Sequence, residues 1–469
     1  MPDAARGRKA VVVGGGVAGI AAAVALADAG LTVELIEKRA MLGGRASSFY
    51  DHETGLPIDE VQHGTMTCCT NLADLLERLG VHHLVRYHDT IRFLDGEGRR
   101  SAIYRAPLPA PLHTSWSFLR FRSLGLRDKL SVARALVALL RTPITPDVER
   151  MDMGSWLRGR GVTERALARF LEPVLVSACN APLDRIGCAY GFKVFRDGFL
   201  THPRAYQFGV PTVALGELYT EPTVRYLEER GGRVRLRTIV GRIVFEAGRA
   251  SGVALNGGEA IGADIVVSGL QFDLLLRMLG DRADHPYFEP LRHLELAPIV
   301  GVHVWFGKAI ETDDCVALLD RRTDWVFNRT RILALRDRGV TLLSLVISAD
   351  EELAAMPKDE ALALVLRELA EAIPETAGAP ILKSYVVRER KATFVPAPGV
   401  DALRPDQRSP YPGFYVAGEW TQTGWPSTME SAARSGYLAA ERALEDLGAP
   451  RACLAPDLRP SWLARRLMR

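Results

Sequence analysis

The segment Lys9-Ala10-Val11-Val12-Val13-Gly14-Gly15-Gly16-Val17-Ala18-Gly19 decides how the rest of the chain is read. Its first five residues are a short apolar, β-branched run of the kind that forms a buried strand. Gly14, Gly16 and Gly19 follow at G-x-G-x-x-G spacing. Residues 18–29 read as a helix with small apolar side chains where it must lie close to a sheet, and Gly30 ends it. Residues 31–36 form a second strand, with Glu37 at its end. Gly14 permits the tight turn, Gly16 lets a pyrophosphate approach the backbone, and Gly19 brings helix and strand together. The helix start, at Val17 and Ala18, offers unpaired N–H groups to phosphate. Glu37, about twenty residues on and followed by Lys38, accepts hydrogen bonds from a ribose 2′-hydroxyl. That acid selects FAD or NAD over NADP.

With 469 residues the chain is longer than one core usually serves, so two or three domains are expected. A charged content of 25% beside 48% hydrophobic residues excludes wholesale disorder. A formal charge of +3 gives no electrostatic footprint for nucleic acid. The six cysteines (Cys68, Cys69, Cys179, Cys188, Cys315, Cys453) have no C-x-x-C spacing and read as reduced thiols. Residues 1–9 are short and polar, unlike a signal peptide. No run reaches the roughly 18 apolar residues of a membrane-spanning helix. A metal site is not expected.

Past the ribose acid comes Gly43-Gly44-Arg45, and near the other end Gly418-Glu419 closes the apolar strand Tyr415-Val416-Ala417. Both resemble motifs of the FAD-dependent amine oxidase and phytoene desaturase superfamily. There the glycine pair and arginine hold the cofactor's phosphates, which suits a backbone without side chains and a forked guanidinium. The acid after the late glycine binds the ribityl or phosphate side. The helix that follows aims its N-terminus, here Thr428, Met429 and Ser431, at the flavin edge where negative charge grows on reduction. The superfamily usually has Asp where Glu419 stands. Its backbone contact to adenine falls at Val240. The resemblance makes the cofactor FAD rather than NAD.

It also implies the fold: an α/β chain with a Rossmann-type, glutathione reductase-like FAD-binding domain and an α+β substrate domain inserted in it. Residues 1–75, 205–290 and 405–450 are expected in the FAD domain, and 76–204 and 291–404 in the substrate domain. Local patterns predict a hairpin over 85–106 turning at Asp95-Gly96, a helix near 70–80 with Asn71 as its cap, and a loop-rich stretch over 191–209.

Residues 116–141 place Trp116, Phe118, Leu119 and Phe121 among six basic residues and one acid, Asp128. Such a basic amphipathic stretch either lies in a membrane interface or packs one face in the core. The tail from Pro460 to Arg469 is similarly basic and aromatic, and is expected to touch a membrane or to fray.

A finer resemblance is spread over the chain. Gln62-His63, Cys68-Cys69-Thr70-Asn71-Leu72, Arg169-Phe170 with Pro173 to Ala178, Lys193-Val194 with Arg196-Asp197-Gly198-Phe199, and Gly209-Val210-Pro211 look like the squalene-associated FAD-dependent desaturase family. Its members are hydroxysqualene dehydroxylases of squalene and hopanoid biosynthesis. Glu60-Val61 departs from the family's Asn-Gly before Gln-His. The implied reaction removes an allylic hydroxyl as water while reduced flavin delivers hydride. His63 is the expected general acid, with Gln62 orienting it or the substrate, and His202 and Tyr206 are weaker candidates. The implied partners are a lipophilic isoprenoid, a membrane surface and an unidentified electron donor. The expected location is cytoplasmic, peripheral on the inner face of the cell membrane. A carotenoid desaturase or isomerase would use the same fold and a similar tunnel. An amine oxidase fits less well, because Leu296-Ala297-Pro298 carries no lysine where those enzymes place one beside the flavin.

Overall fold

The computed structural model, which describes residues 6–335 and 339–468, assembles its first sheet from five distant parts of the chain. The strands are parallel and stand in the order Arg233–Arg235, Thr32–Ile36, Lys9–Val13, Ile265–Ser268, Phe414–Val416. Alternate residues of Lys9–Val13 enter two different cores, Ala10 and Val12 on one face, Val11 and Val13 on the other. A parallel sheet covered on both faces needs such unbroken apolar runs. The fold is α/β with a Rossmann-type nucleotide domain.

The helices Val17–Asp28 and Met429–Asp446 cross on one face of this sheet. Their small residues permit it. A Cβ on Gly436 would collide with the Ala18 carbonyl and lie 2.7 Å from the Ala22 nitrogen. The alanine-rich first helix is therefore a packing surface for the last long one.

The second sheet has seven strands, in the order Ile381–Phe394, Leu296–Phe306, Thr341–Ser348, Trp325–Asn328, Cys315–Leu318, Thr90–Leu94, Arg100–Tyr104. Helix Lys358–Ala372 covers one face through Ala361, Val365 and Leu369. Helices between residues 115 and 200 stand at the sheet's other side, over a large cavity. No helix among the described residues is long and apolar enough to cross a membrane.

Several local expectations change. The hairpin is shorter than 85–106. Val85–His88 instead pairs with Phe208–Pro211, and only Thr90–Leu94 and Arg100–Tyr104 form the hairpin, whose turn is capped by Asp95 accepting from the Glu97 and Arg99 nitrogens. Residues 191–209 are not mainly loop. Helix Cys188–Phe195 runs into a π-helical turn, Arg196–Leu200, because burying Tyr190, Phe192 and Phe195 outweighs the glycines' preference for turns. Asn71 does not cap the helix Thr70–Arg78, where Cys69 is the N-cap. The Glu430 carboxylate accepts from the Asn71 and Leu72 nitrogens instead, so one helix caps another. The tail forms helix Trp462–Leu467, capped by Ser461, which also donates to the Ala110 carbonyl. Arg469 lies outside the described residues.

Asp324 is an unexpected feature of the second sheet. It lines the cavity beside strand Trp325–Asn328 and accepts from the Ser348 nitrogen at 2.6 Å. Burial pushes its carboxyl up to about 7. The unfolded carboxyl ionises near 3.8, so between these values the folded chain binds more protons and stability falls as pH rises. Asp324→Asn is expected to exceed wild type in stability by about 4 kcal/mol above pH about 7, and to show no advantage near pH 4. Denaturant midpoints at the two pH values test this, and an equal pH slope in both proteins contradicts it.

Candidate functional site

The glycine turn and the glycine pair meet backbone to backbone. Gly16 and Gly43 form an isolated parallel bridge, and the Gly43 nitrogen donates to the Gly15 carbonyl at 2.8 Å. Gly14 has φ +99° and Gly44 φ +66°, conformations that favour glycine. A Cβ added to Gly16 would meet only the Gly44 Cα, at 3.9 Å, so open space lies beside this backbone, as a pyrophosphate needs. Gly19 does not line the cavity. Its Cβ would collide with the Gly14 carbonyl, so it seats the helix on the strand. Gly15, not singled out from the motif, is as constrained, because a Cβ there would collide with Leu42.

Glu37 receives the Gly15 nitrogen at 2.7 Å and the Arg39 nitrogen at 2.9 Å. Each oxygen keeps a second lone pair for a ribose hydroxyl. Val17, Ala18 and Lys38 border the same cavity. Val240 does not, though Thr238, two residues before it, donates its backbone N–H to the Glu37 carbonyl at 2.9 Å.

Arg45 and Glu419 are joined by an ion pair of 2.6 Å, and Arg45 also donates to the Ala392 carbonyl at 2.7 Å. The pair ties the two ends of the chain and the second sheet to one point. Gly418 is packed against Trp420, and its nitrogen donates to the Ser435 hydroxyl. Thr428 caps helix Met429–Asp446 by accepting from the Ser431 nitrogen, and Thr428 and Met429 line the cavity. Ser431 does not line it. Its hydroxyl is bonded within the loop to Thr423 and the Glu419 carbonyl, so its part is to shape the turn.

Gln62 and His63 stand on the cavity wall. His63 Nδ1 donates to the Val61 carbonyl at 2.8 Å, leaving Nε2 as a lone-pair nitrogen. Burial lowers its pKa. Burial thus favours the neutral imidazole over the imidazolium that a general acid needs. The Gln62 Oε1 is buried with no partner among the described residues, as expected for an atom that faces a ligand. Tyr206 is fully buried and spent on the Arg105 nitrogen and the Asp89 carbonyl, and neither it nor His202 borders the cavity. Both leave the candidate set. The Cys68 thiol, pushed well up by its Cys69 hydrogen bond and by burial, is no nucleophile.

The cavity, cradle included, measures about 1130 Å³ and continues beyond the glycines. Phe93, Phe118, Phe170, Phe199, Phe208 and Trp325 face it. Phe208 stacks on Trp325 at 5.0 Å, and Phe118 packs on Phe170 at 4.9 Å. Phe170 and Phe199 sit in the two π-helical turns, Leu167–Leu171 and Arg196–Leu200, a backbone form frequent at functional sites. Charged groups share this wall, Lys193, Asp197, Asp320, Arg322, Asp324 and Glu368 among them. Lys193 and Asp197 belong to segments of the finer resemblance, but their place on the cavity wall carried no local signal. Asp324 carried no local signal.

Helix Leu126–Arg141 has apolar residues on both its buried and its exposed side. Val132, Ala135 and Leu139 enter the core, whereas Leu126 and Leu130 are 80% and 56% exposed. Leu136, Val137 and Leu140 line the cavity. Exposed Leu112 lines it too, and the exposed Trp116 and Leu119 lie next to the lining residues Ser115 and Phe118. The tail's Trp462 is exposed too, on a helix that packs against Leu126–Arg141.

Comparison with known proteins agrees with this geometry. Residues 17–444 match the family described as flavin containing amine oxidoreductase. The chain is 26% identical over 474 residues to zeta-carotene desaturase of Zea mays, covering 91% of this chain and 82% of that one. It is 27% identical over 467 residues to 15-cis-phytoene desaturase of Solanum lycopersicum, covering 93% and 77%. Among solved structures, an oxidoreductase from Methanosarcina mazei superposes with a TM-score of 0.70 at 19% identity, covering 93% of this chain and all of that one. Cyclohexylamine oxidase from Brevibacterium oxydans superposes with a TM-score of 0.66 at 19% identity, covering 94% and 99%. At those identities the structures show the shared fold alone. The chain belongs to the flavin-containing amine oxidoreductase family, and its cofactor is FAD.

Proposed function

We propose that this FAD-dependent oxidoreductase acts on a long, water-insoluble isoprenoid taken from a lipid surface. The observation that carries the reading is one cavity bordered by Gly14, Gly44 and Glu419 at one part and by Leu112, Phe118 and Val137 at another. A chain lying along it would reach from the cofactor cradle to the exposed apolar rim. FAD, when bound, supplies hydride chemistry. The protein's own contribution is an aromatic wall that excludes water and turns ring faces toward developing positive charge. The similarity to carotenoid desaturases supports the desaturating direction, in which a hydride and a proton leave adjacent carbons. A second reading, hydroxysqualene dehydroxylation, is favoured by the charged pair Lys193–Asp197 on the cavity wall, since a bare polyene needs no such partner. There a proton enters, water leaves and a hydride takes its place.

The exposed rim supports membrane contact. Basic side chains Arg120, Arg122, Arg127, Lys129 and Arg134 surround Trp116, Leu119, Leu126 and Leu130, as in helices that lie in an interface.

Three measurements test this. Phytoene and hydroxysqualene, each supplied in liposomes to the FAD-loaded protein with a matching electron carrier, are expected to include one that is converted. Both recovered intact while a polyamine is oxidised would overturn the isoprenoid reading. Gly16→Val is expected to abolish co-purification of FAD while the chain stays folded, and full flavin content in that variant contradicts the cradle. Replacing Trp116, Leu119, Leu126 and Leu130 by Ser is expected to cut binding to anionic vesicles about tenfold or more, from roughly 1.5–3 kcal/mol per large apolar side chain withdrawn. Unchanged sedimentation counts against the rim.

A further inference from the structure

The short loop that carries Gln62 and His63 is held from two sides by the residues just before it. Asp59 ends strand Leu56–Asp59. Its Oδ1 accepts from the Leu215 nitrogen and the Ser48 hydroxyl, both at 2.8 Å. Leu215 opens helix Leu215–Glu228, which packs on helix Val17–Asp28 of the nucleotide domain. Asp59 Oδ2 lies 2.9 Å from Arg329 Nη2. Arg329 directly follows strand Trp325–Asn328 of the second sheet.

Glu60 repeats the pattern. Its carboxylate accepts from Arg39 Nη1 at 2.6 Å, and the same nitrogen lies 3.2 Å from the Gly44 carbonyl of the cradle. The Glu60 carbonyl stands 3.5 Å from His303 Nε2, and a Cβ on Gly301 would come within 3.1 Å of it. Val61 packs with Phe327 and Val346 of the second sheet. The loop is thus wedged between the cradle and the second sheet, and the next two residues, Gln62 and His63, line the cavity.

The Asp59–Arg329 pair is a poor device for stability. Arg329 is 3% exposed and Asp59 2%. Arg329 Nη1 is buried with no hydrogen-bond partner among the described residues, and the ion pair itself is not aligned as a hydrogen bond. Taking both charges out of water costs about as much as their attraction returns, and apolar residues of similar volume would join the elements as well. Nor is the pair needed for attachment. The hairpin of Ser48–Asp51 and Leu56–Asp59 is already tied to the second sheet by Lys383, whose Nζ lies 2.7 Å from Asp51. What a buried ion pair adds is a fixed position, and the position it fixes is that of the loop.

We propose that Arg329 is a positioning residue for the flavin site. Through Asp59 it holds the Gln62–His63 loop against the cradle, so that the second sheet governs how firmly FAD is kept. This is independent of which substrate enters the cavity.

The test reads FAD release from the holoprotein, by the fluorescence of freed flavin, together with the flavin's visible circular dichroism. Asp59→Asn/Arg329→Met removes both charges and leaves an acceptor for Leu215. It is expected to release FAD about tenfold faster than wild type, the scale of one hydrogen bond lost from a held ligand, and to change the dichroism. Arg329→Lys keeps the ion pair and is expected to stay near wild type in both. Lys383→Met removes the hairpin's other ion pair and is expected to lower the melting midpoint without moving either flavin readout. Gln62→Ala added to Asp59→Asn/Arg329→Met is expected to speed release no further, because both changes act on one loop. Gly301→Ala presses on the Glu60 carbonyl without touching a charge and is expected to alter both flavin readouts. Wild-type readouts in Asp59→Asn/Arg329→Met, or in Gly301→Ala should that double variant yield no holoprotein, would overturn the proposal. So would equally fast release from Lys383→Met, or additive effects of Gln62→Ala and the double variant.

Discussion

The structure depends on one close approach, that of the backbone at Gly16 to the backbone at Gly43 and Gly44. A Cβ on Gly44 would lie 3.0 Å from the Gly16 Cα, whereas the space left beside Gly16 itself is open, as a pyrophosphate needs. Much else serves this approach. Glu37 fixes the turn from behind by accepting from Gly15. Arg45, directly after the pair, reaches Glu419 at the far end of the chain. The same rule of small residues repeats where Gly436 meets Ala18 and Ala22, which lets the C-terminal helix complete the cradle. The cradle is thus assembled from segments that are useless apart, and the chain must return to its first sheet three times to build it.

The substrate side follows from a different demand. The second sheet and the helices between residues 115 and 200 enclose a cavity whose wall is largely aromatic and aliphatic, with charged groups set into it. Burial acts on two titratable groups there, lowering the pKa of His63 and lifting that of Asp324 to about 7. In each case the charged form is disfavoured.

The cradle was legible in the sequence because its motifs act through backbone geometry, which short spacing reports directly. Gly14, Gly16, Glu37, Gly44 and Arg45 needed no tertiary information. The chemistry of the second domain was less legible, for physical reasons. Whether His63 can donate a proton depends on burial and on the Val61 carbonyl, neither of which local pattern reveals. Residues 191–209 read as loop because glycines dominate the pattern, whereas core burial of Phe192 and Phe195 holds a helix and its π-turn there. Asn71 looked like a cap because of its residue type, but the carboxylate that caps its helix comes from Glu430, about 360 residues away. Helix Leu126–Arg141 read ambiguously because it serves two surfaces at once, with core on one side and an exposed apolar rim on the other.

The central claim is that an isoprenoid in this cavity meets the flavin held by the cradle. Anaerobic rapid mixing tests it most directly, with oxidised holoprotein against phytoene and reduced holoprotein against hydroxysqualene, each carrying deuterium at the reacting position of the substrate or the flavin. The account predicts a change in flavin oxidation state in one of the two mixtures, slowed by the deuterium. A flavin that keeps its oxidation state with both substrates, although both enter the cavity, would contradict it.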